Sequence, residues 1–151
     1  MAAVWVAYPQ TDIARLVLGP ALVLRPDATI REAAKALRAM DSSAALVGGP
    51  GAIVTERDLT RAWSHGLNGD EPVSAIATDD PVVVDAHTPI AEAAALMLNR
   101  EVRHLIVVNR ERIGIVSLRT VMAVLLQAVH PERWLAELRL RISEDPEMWL
   151  G

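Results

Sequence analysis

The chain contains an internal repeat, and this repeat limits the possible folds more than any other feature. The segment LVLRPDATIREAAKALRAM at 22–40 aligns with VVVDAHTPIAEAAALMLNR at 82–100, so that Leu22 corresponds to Val82. After an insertion of two residues, IVTERDL at 53–59 aligns with IVSLRTV at 115–121. Two copies with a period near 60 are too few and too long for a solenoid. We therefore interpret the repeat as the duplication of one supersecondary unit.

Each copy begins with a short strand and an amphipathic helix. The helix places apolar residues at helical spacing on one face, and these are Ile30, Ala33, Ala34 and Leu37 in copy one and Ile90, Ala93, Ala94 and Met97 in copy two. Thr29 and Glu32 have the spacing of a capping box. Thr88 before Pro89 predicts an N-cap followed by proline at the first helical position.

A β-hairpin and a second helix follow in each copy. The hairpin strands are predicted at 44–47 and 51–54 in copy one, and at 104–108 and 112–116 in copy two. The apolar face predicted for the second helix consists of Leu59, Ala62 and Trp63 in copy one and of Val121, Val124 and Leu125 in copy two. Trp63 is therefore expected in the core. The order of elements is β-α-β-β-α, twice.

These elements predict an α+β fold with one module and added ends. A unit of roughly 50–60 residues buries little surface by itself, so the two copies are expected to pack together with pseudo-twofold symmetry and clefts between them. The predicted divisions are an N-terminal extension at 1–11, a first motif at 12–66, a linker at 67–72, a second motif at 73–129 and a C-terminal helical extension at 130–151.

Composition excludes several classes of function. The chain has no cysteine, which excludes disulfides and thiolate metal sites, and its formal charge of −4 argues against a nucleic acid polymer as partner. Without a basic leader or a long apolar run, the sequence predicts a cytoplasmic protein with no membrane segment. The histidines have no metal-ligand spacing, and no nucleophile–base pair can be named. We therefore expect no metal, no required cofactor and no enzymatic activity.

The repeated motifs resemble a tandem pair of cystathionine β-synthase (CBS) domains, known as a Bateman module. The resemblance rests on GAIVTERDL at 51–59, on EVRHLIVVNRERIGIVSLRTVM at 101–122 and on the openings LRPDATIREA and VDAHTPIAEA. It implies a regulatory module that binds an adenosine-containing ligand (AMP, ADP, ATP, S-adenosylmethionine or NAD) in a cleft between the two motifs. It further implies a homodimer and a signal passed to a regulated protein that the sequence does not identify.

The resemblance also assigns roles to residues. Thr55 and Asp58 would hold the ribose hydroxyls, while the matching Ser117 and Thr120 lack a carboxylate, so the second site is expected to be weak, altered or empty. Phosphate groups would meet positive charge, and the candidates are Arg57, Arg103, His104 and Arg119.

Each assignment has a structural alternative. Thr55 and Asp58 also form an ordinary capping box, and Ser117 can be a simple cap. Arg103 and His104 can be the exposed start of a strand, and Arg57 and Arg119 can be surface arginines. The alternative function is therefore a CBS-type dimerisation or interaction module with degenerate nucleotide sites.

The C-terminal segment adds a second apolar surface. His130, Pro131 and Glu132 are predicted to open a helix with an apolar stripe formed by Trp134, Leu135, Leu138 and Ile142, followed by the cluster Met148, Trp149 and Leu150. Because a monomer would not leave such a cluster exposed, the helix either folds back on its own module or docks on a second subunit. A homodimer contact is the favoured prediction.

Overall fold

The computed structural model describes residues 9–129. Within them the chain forms two compact units, which we call unit 1 (9–20 with 82–129) and unit 2 (21–81). The first eight residues of the N-terminal extension and the helix predicted at 130–151 lie outside the described residues.

Unit 2 contains the predicted β-α-β-β-α order and one further strand. Its elements are β1 (Val23–Leu24), α1 (Ile30–Ala39), β2 (Ala44–Val47), β3 (Ala52–Thr55), α2 (Glu56–Ser64), a 3₁₀ helix (Val73–Ala75) and β4 (Thr78–Asp79). The sheet order is β1-β2-β3-β4, with β1 parallel to β2 and the other pairs antiparallel. Strand β4 is not predictable from the sequence, because its two exposed residues have no apolar alternation.

Unit 1 has the same β-α-β-β-α order with longer hairpin strands, and its described residues form a three-stranded sheet without a counterpart of β4. Its elements are a 3₁₀ helix (Ile13–Leu16), β5 (Val83–Asp85), α3 (Ile90–Asn99), β6 (His104–Asn109), β7 (Arg112–Ser117) and α4 (Leu118–Val129). β5 is parallel to β6, and β6 is antiparallel to β7. The mixed α+β class and the repeated motif are therefore confirmed.

The buried residues form one apolar core in each unit. Ile30, Ala33 and Leu37 of α1 are buried as predicted, whereas Ala34 is exposed; its counterpart Ala94 is buried. In copy two, Ile90, Ala93 and Met97 of α3 and Val121 and Val124 of α4 all join the core of unit 1.

Trp63 is exposed, so its predicted place in the core is wrong. Its exposed fraction is 81%. The two buried residues of α2 are Asp58 and Ala62, and Leu59 is partly buried. At about 100° per residue, Trp63 lies roughly 120° around the helix from the midpoint between Asp58 and Ala62. The burial of Asp58 therefore turns α2 away from the orientation that its apolar residues alone predict.

The first helices of the two copies, α1 and α3, have different N-terminal caps. Thr29 Oγ1 accepts a hydrogen bond from Glu32 N at 3.1 Å, and Glu32 Oε2 accepts from Thr29 N at 2.8 Å, so the predicted capping box is confirmed. The predicted N-cap at Thr88 is wrong, because α3 begins at Ile90 and its N-cap residue is Pro89. Within residues 9–129, no side chain supplies a cap to α3.

Backbone carbonyls from a distant segment cap α3 instead. Thr11 O accepts from Ile90 N at 2.9 Å, and Pro9 O accepts from Ala91 N at 2.8 Å. These bonds satisfy two of the amides that a helix leaves unpaired at its N-terminus.

The same bonds recur at the equivalent positions of unit 2. Glu71 O accepts from Ile30 N at 2.8 Å, and Gly69 O accepts from Arg31 N at 2.9 Å. The segment that precedes each copy therefore belongs to the compact unit of the other copy. Residues 67–72 lie within unit 2, and the predicted linker and the motif limits 12–66 and 73–129 stay predictions.

Replacing Thr29 by alanine tests the difference between the helix starts. We expect Thr29→Ala to lower the free energy of unfolding by about 1 kcal/mol, because it removes a side-chain cap. Thr88→Ala is the matched control and should cost clearly less, since Thr88 caps no helix in the described chain. Urea unfolding of both variants provides the comparison, and equal losses would contradict it.

Candidate functional site

Thr55 and Asp58 lie where β3 passes directly into α2. Thr55 is the last residue of the strand and the N-cap of the helix, with extended backbone angles (φ −123°, ψ 167°). Asp58 Oδ2 accepts from Thr55 N at 2.8 Å and from Thr55 Oγ1 at 3.0 Å. Asp58 N lies 3.4 Å from Thr55 Oγ1 and completes the capping box. The capping box predicted for this pair is therefore confirmed, and its role in ligand binding stays a prediction.

The other oxygen of Asp58 has two side-chain donors. Arg61 Nη2 donates to Oδ1 at 2.5 Å, and Thr78 Oγ1 donates to the same atom at 3.4 Å. Asp58 is 4% exposed, and a buried carboxylate is costly unless it is paired and hydrogen-bonded. The four donors supply this compensation inside unit 2, and Arg61 balances the negative charge.

Arg61 and Thr78 are not among the site residues predicted from the sequence. Arg61 was open to prediction, because it follows Asp58 by three residues and lies next to it on the helix surface. Thr78 is far from Asp58 in the sequence and reaches it through β4, which the sequence did not reveal.

Copy two has a weaker version of the same corner. Ser117 Oγ lies 3.2 Å from Thr120 Oγ1, and Thr120 N donates to Ser117 Oγ at 3.4 Å. A hydroxyl is a neutral acceptor, whereas an ionised carboxylate accepts charge-assisted hydrogen bonds with two oxygens. In both corners a strand passes directly into a helix, and the two corners differ in their side-chain chemistry.

The four predicted cationic residues fall into two groups. Arg57 and Arg119 are exposed near the starts of α2 and α4. Arg103 and His104 lie at the start of β6, where His104 is the register partner of Ser117. Arg103 O accepts from Leu118 N at 2.7 Å. The structure thus brings Arg103 and His104 beside the motif of copy two, and their phosphate-binding role stays a prediction.

Among residues 9–129, no group of three His, Cys, Asp or Glu side chains could hold a metal ion. None of the helices in that range is both long and apolar enough to cross a membrane. An open groove of about 400 Å³ follows β5 and α3 and includes Thr88 and Glu92, but none of the eight predicted site residues lines it.

A carboxylate in this position suits the recognition of a vicinal diol. Ionised Asp58 only accepts hydrogen bonds, and the two hydroxyls of a ribose can both donate. Because Asp58 is next to Thr55 at a helix N-terminus, its negative charge is also favoured by the helix dipole. The corner can thus act as a polar binding point.

The comparisons with known proteins identify the family. A family model described as CBS domain matches residues 73–127. An uncharacterized 17.7 kDa protein of Acidianus ambivalens is 33% identical over 126 residues, covering 77% of this chain and 74% of the relative. A CBS domain-containing protein of Arabidopsis thaliana is 36% identical over 120 residues, which cover 72% of this chain but only 21% of that longer protein.

A solved structure extends the match to both copies. The structure of a CBS domain protein from Pyrobaculum aerophilum complexed with AMP has a TM-score of 0.67 and 32% sequence identity. The alignment covers 78% of this chain and 98% of that one. With the repeated β-α-β-β-α motif, these matches show that the chain belongs to the CBS-domain family and is a tandem pair of CBS motifs.

Proposed function

We propose that the chain is a regulatory module that binds an adenosine-containing nucleotide through Thr55 and Asp58 and passes the signal to a partner protein. The observation that carries the proposal is Asp58, a buried carboxylate at the start of α2 whose Oδ1, among residues 9–129, accepts hydrogen bonds from the side chains of Arg61 and Thr78. The relative from Pyrobaculum aerophilum, solved with AMP at 32% identity, supports the choice of ligand class.

The proposed contacts divide the nucleotide into two parts. Thr55 and Asp58 bind the ribose, and the phosphate points away from the Asp58 carboxylate toward cationic groups. Arg57 is exposed on the first turn of the same helix and is one such group. The phosphate-binding role of Arg103 and His104 stays a prediction from the family resemblance. Regulation follows if the nucleotide binds one conformation of the module more tightly than another, because only differential affinity shifts a population.

Copy two is proposed to contribute little to binding. Ser117 and Thr120 are its counterparts of Thr55 and Asp58, and Arg119 is its counterpart of Arg57. Without a carboxylate, Ser117 and Thr120 offer only neutral acceptors, which form weaker hydrogen bonds with hydroxyl groups.

Calorimetric titration with AMP tests the ribose assignment. We expect Asp58→Asn to weaken AMP binding at least about tenfold, since it replaces charge-assisted hydrogen bonds by neutral ones. Thr120→Val, the matched change in copy two, should leave the affinity close to that of the wild type. Ligand-free melting of each variant establishes that it is folded. Equal AMP affinity in Asp58→Asn and wild type would refute the assignment.

The stoichiometry of the same titration tests the difference between the copies. We expect one AMP per chain, because only copy one has the carboxylate. Two molecules of equal affinity per chain would show that Ser117 and Thr120 suffice for binding.

A panel of ligands identifies the preferred nucleotide. Thermal shifts with AMP, ADP, ATP, S-adenosylmethionine and NAD compare the candidates. A ligand at a hundred times its dissociation constant adds about 2.7 kcal/mol to the free energy of unfolding, which gives a readily visible shift. The absence of a shift with all five would contradict nucleotide sensing and favour the second candidate.

The second candidate is a dimerisation or interaction module. The observation that favours it is Trp63, which is 81% exposed and lies on the surface of α2. Met122, Leu126 and Val129 also expose apolar surface along one side of α4. Exposed tryptophan is typical of residues that dominate protein–protein contacts.

Sedimentation velocity over a range of concentrations tests this candidate. We expect the chain to self-associate and Trp63→Ser to weaken the association, because it removes a large apolar side chain from the contact. Met40→Ser, a matched change of another exposed apolar residue in unit 2, is the control and should have little effect. A monomer at all concentrations would exclude self-association.

A further inference from the structure

The Asp58 carboxylate is fully occupied by donors from its own unit. Thr55 N and Thr55 Oγ1 donate to Oδ2, while Arg61 Nη2 and Thr78 Oγ1 donate to Oδ1. An ionised carboxylate has about four lone-pair sites for hydrogen bonds. A ribose that binds Asp58 must therefore displace or share at least one of these donors.

The two carboxylate oxygens of Asp58 differ in how readily their hydrogen bonds can be broken. The bonds to Oδ2 come from Thr55, the N-cap of α2, and one of them is donated by the backbone amide of this residue at the end of β3. The bonds to Oδ1 come from side chains at the surface, and the Arg61 side chain is 55% exposed. A ligand therefore gains access at Oδ1, where Arg61 is the charged and closest donor.

Copy two supports a specific link between Arg61 and Asp58. When the alignment of 53–59 with 115–121 is continued along the helix, Ala123 is the counterpart of Arg61, and Thr120 is the counterpart of Asp58. The segments whose carbonyls cap α3 and α1 can also be aligned, with 9–11 matched to 69–71. In this alignment Leu18 is the counterpart of Thr78. Both Oδ1 donors are thus absent from the copy that has no carboxylate, although β7 still passes directly into α4 there.

We propose that Arg61 is an internal competitor that sets the affinity of the ribose site. This inference rests on the proposed function, because it concerns nucleotide binding at Asp58. In the free module the Arg61 guanidinium occupies Oδ1, and the site becomes competent when this ion pair opens. The apparent dissociation constant is then the intrinsic constant divided by the competent fraction, so the ion pair weakens binding.

Adenosine and AMP together distinguish competition from phosphate binding. We expect Arg61→Met to tighten the binding of both ligands by about tenfold, equal to about 1.4 kcal/mol at 25 °C, because the ribose no longer displaces a charge-assisted hydrogen bond. Arg38→Met is the matched control: it removes one positive charge from an exposed position in unit 2 and should change neither affinity. Calorimetry provides all the constants.

Two results with Arg61→Met would overturn the inference. Unchanged affinity for both ligands would show that the ion pair does not compete. Weaker AMP binding with unchanged adenosine binding would make Arg61 a phosphate ligand. If Asp58→Asn loses AMP while Arg61→Met binds like wild type, the nucleotide function stands and the competition fails. If neither wild type nor Arg61→Met binds adenosine or AMP up to millimolar concentration, both nucleotide binding at Asp58 and competition by Arg61 are overturned.

A salt titration of the wild-type chain does not depend on the folding of a variant. Adenosine is uncharged, so salt acts on the Arg61–Asp58 pair without screening the ligand. Raising NaCl from about 0.05 to about 0.5 M should tighten adenosine binding about twofold, since half-exposed ion pairs are screened by salt. Adenosine affinity that is constant or decreases with salt would argue against Arg61 as a competitor.

Discussion

The fold depends on backbone carbonyls that reach the N-terminus of a helix from the segment preceding the other copy. Residues 9–11 supply them to α3, and residues 69–71 supply them to α1. Unpaired amides at a helix start are costly to bury, and these bonds satisfy two in each helix. The same segments carry the 3₁₀ helices Ile13–Leu16 and Val73–Ala75 into the cores. Each compact unit therefore contains one copy of the motif together with the segment that precedes the other copy.

The same principle of compensation governs the candidate site. Asp58 is buried at the beginning of α2, and its charge is compatible with that position because every lone pair has a donor. The burial also rotates α2, which exposes Trp63. One acidic residue thus determines both the chemistry of the corner and the surface that the helix presents. Copy two, with Thr120 at the matching position, has an apolar helix α4 in the same place.

The sequence predicts local features well, and the Thr29–Glu32 capping box shows why. Both partners lie within one helical turn, so their spacing alone determines the contact. The hairpin strands were likewise predictable, because their apolar runs are bounded by turn residues. The failure at Thr88 has the opposite cause: the carbonyls that cap α3 come from residues far away in the chain.

The contacts of the candidate site likewise divide into local ones, which the sequence predicts, and distant ones, which it does not. The Thr55–Asp58 capping box follows from spacing and from the repeat, and Arg61 could have been found one turn further along the helix. Thr78 could not, because it depends on the pairing of β3 with β4. The orientation of α2 was also beyond prediction, since a rule that places apolar residues inside does not anticipate a buried aspartate as part of the stripe.

Because residues 9–20 pack with residues that follow 81, the two units differ in the order in which they can fold. Unit 2 is one continuous stretch, 21–81, whereas unit 1 joins residues 9–20 to residues that follow 81. During synthesis from the N-terminus, unit 2 can complete its sheet while the amides of α3 are still to be made. Residues 9–20 then have no core to pack against until the second half of the chain has been synthesised. Ile13 and Val17, which are buried in the folded chain, stay exposed during that time. Closing that long loop makes unit 1 the slower unit to form and the one more exposed to misassembly.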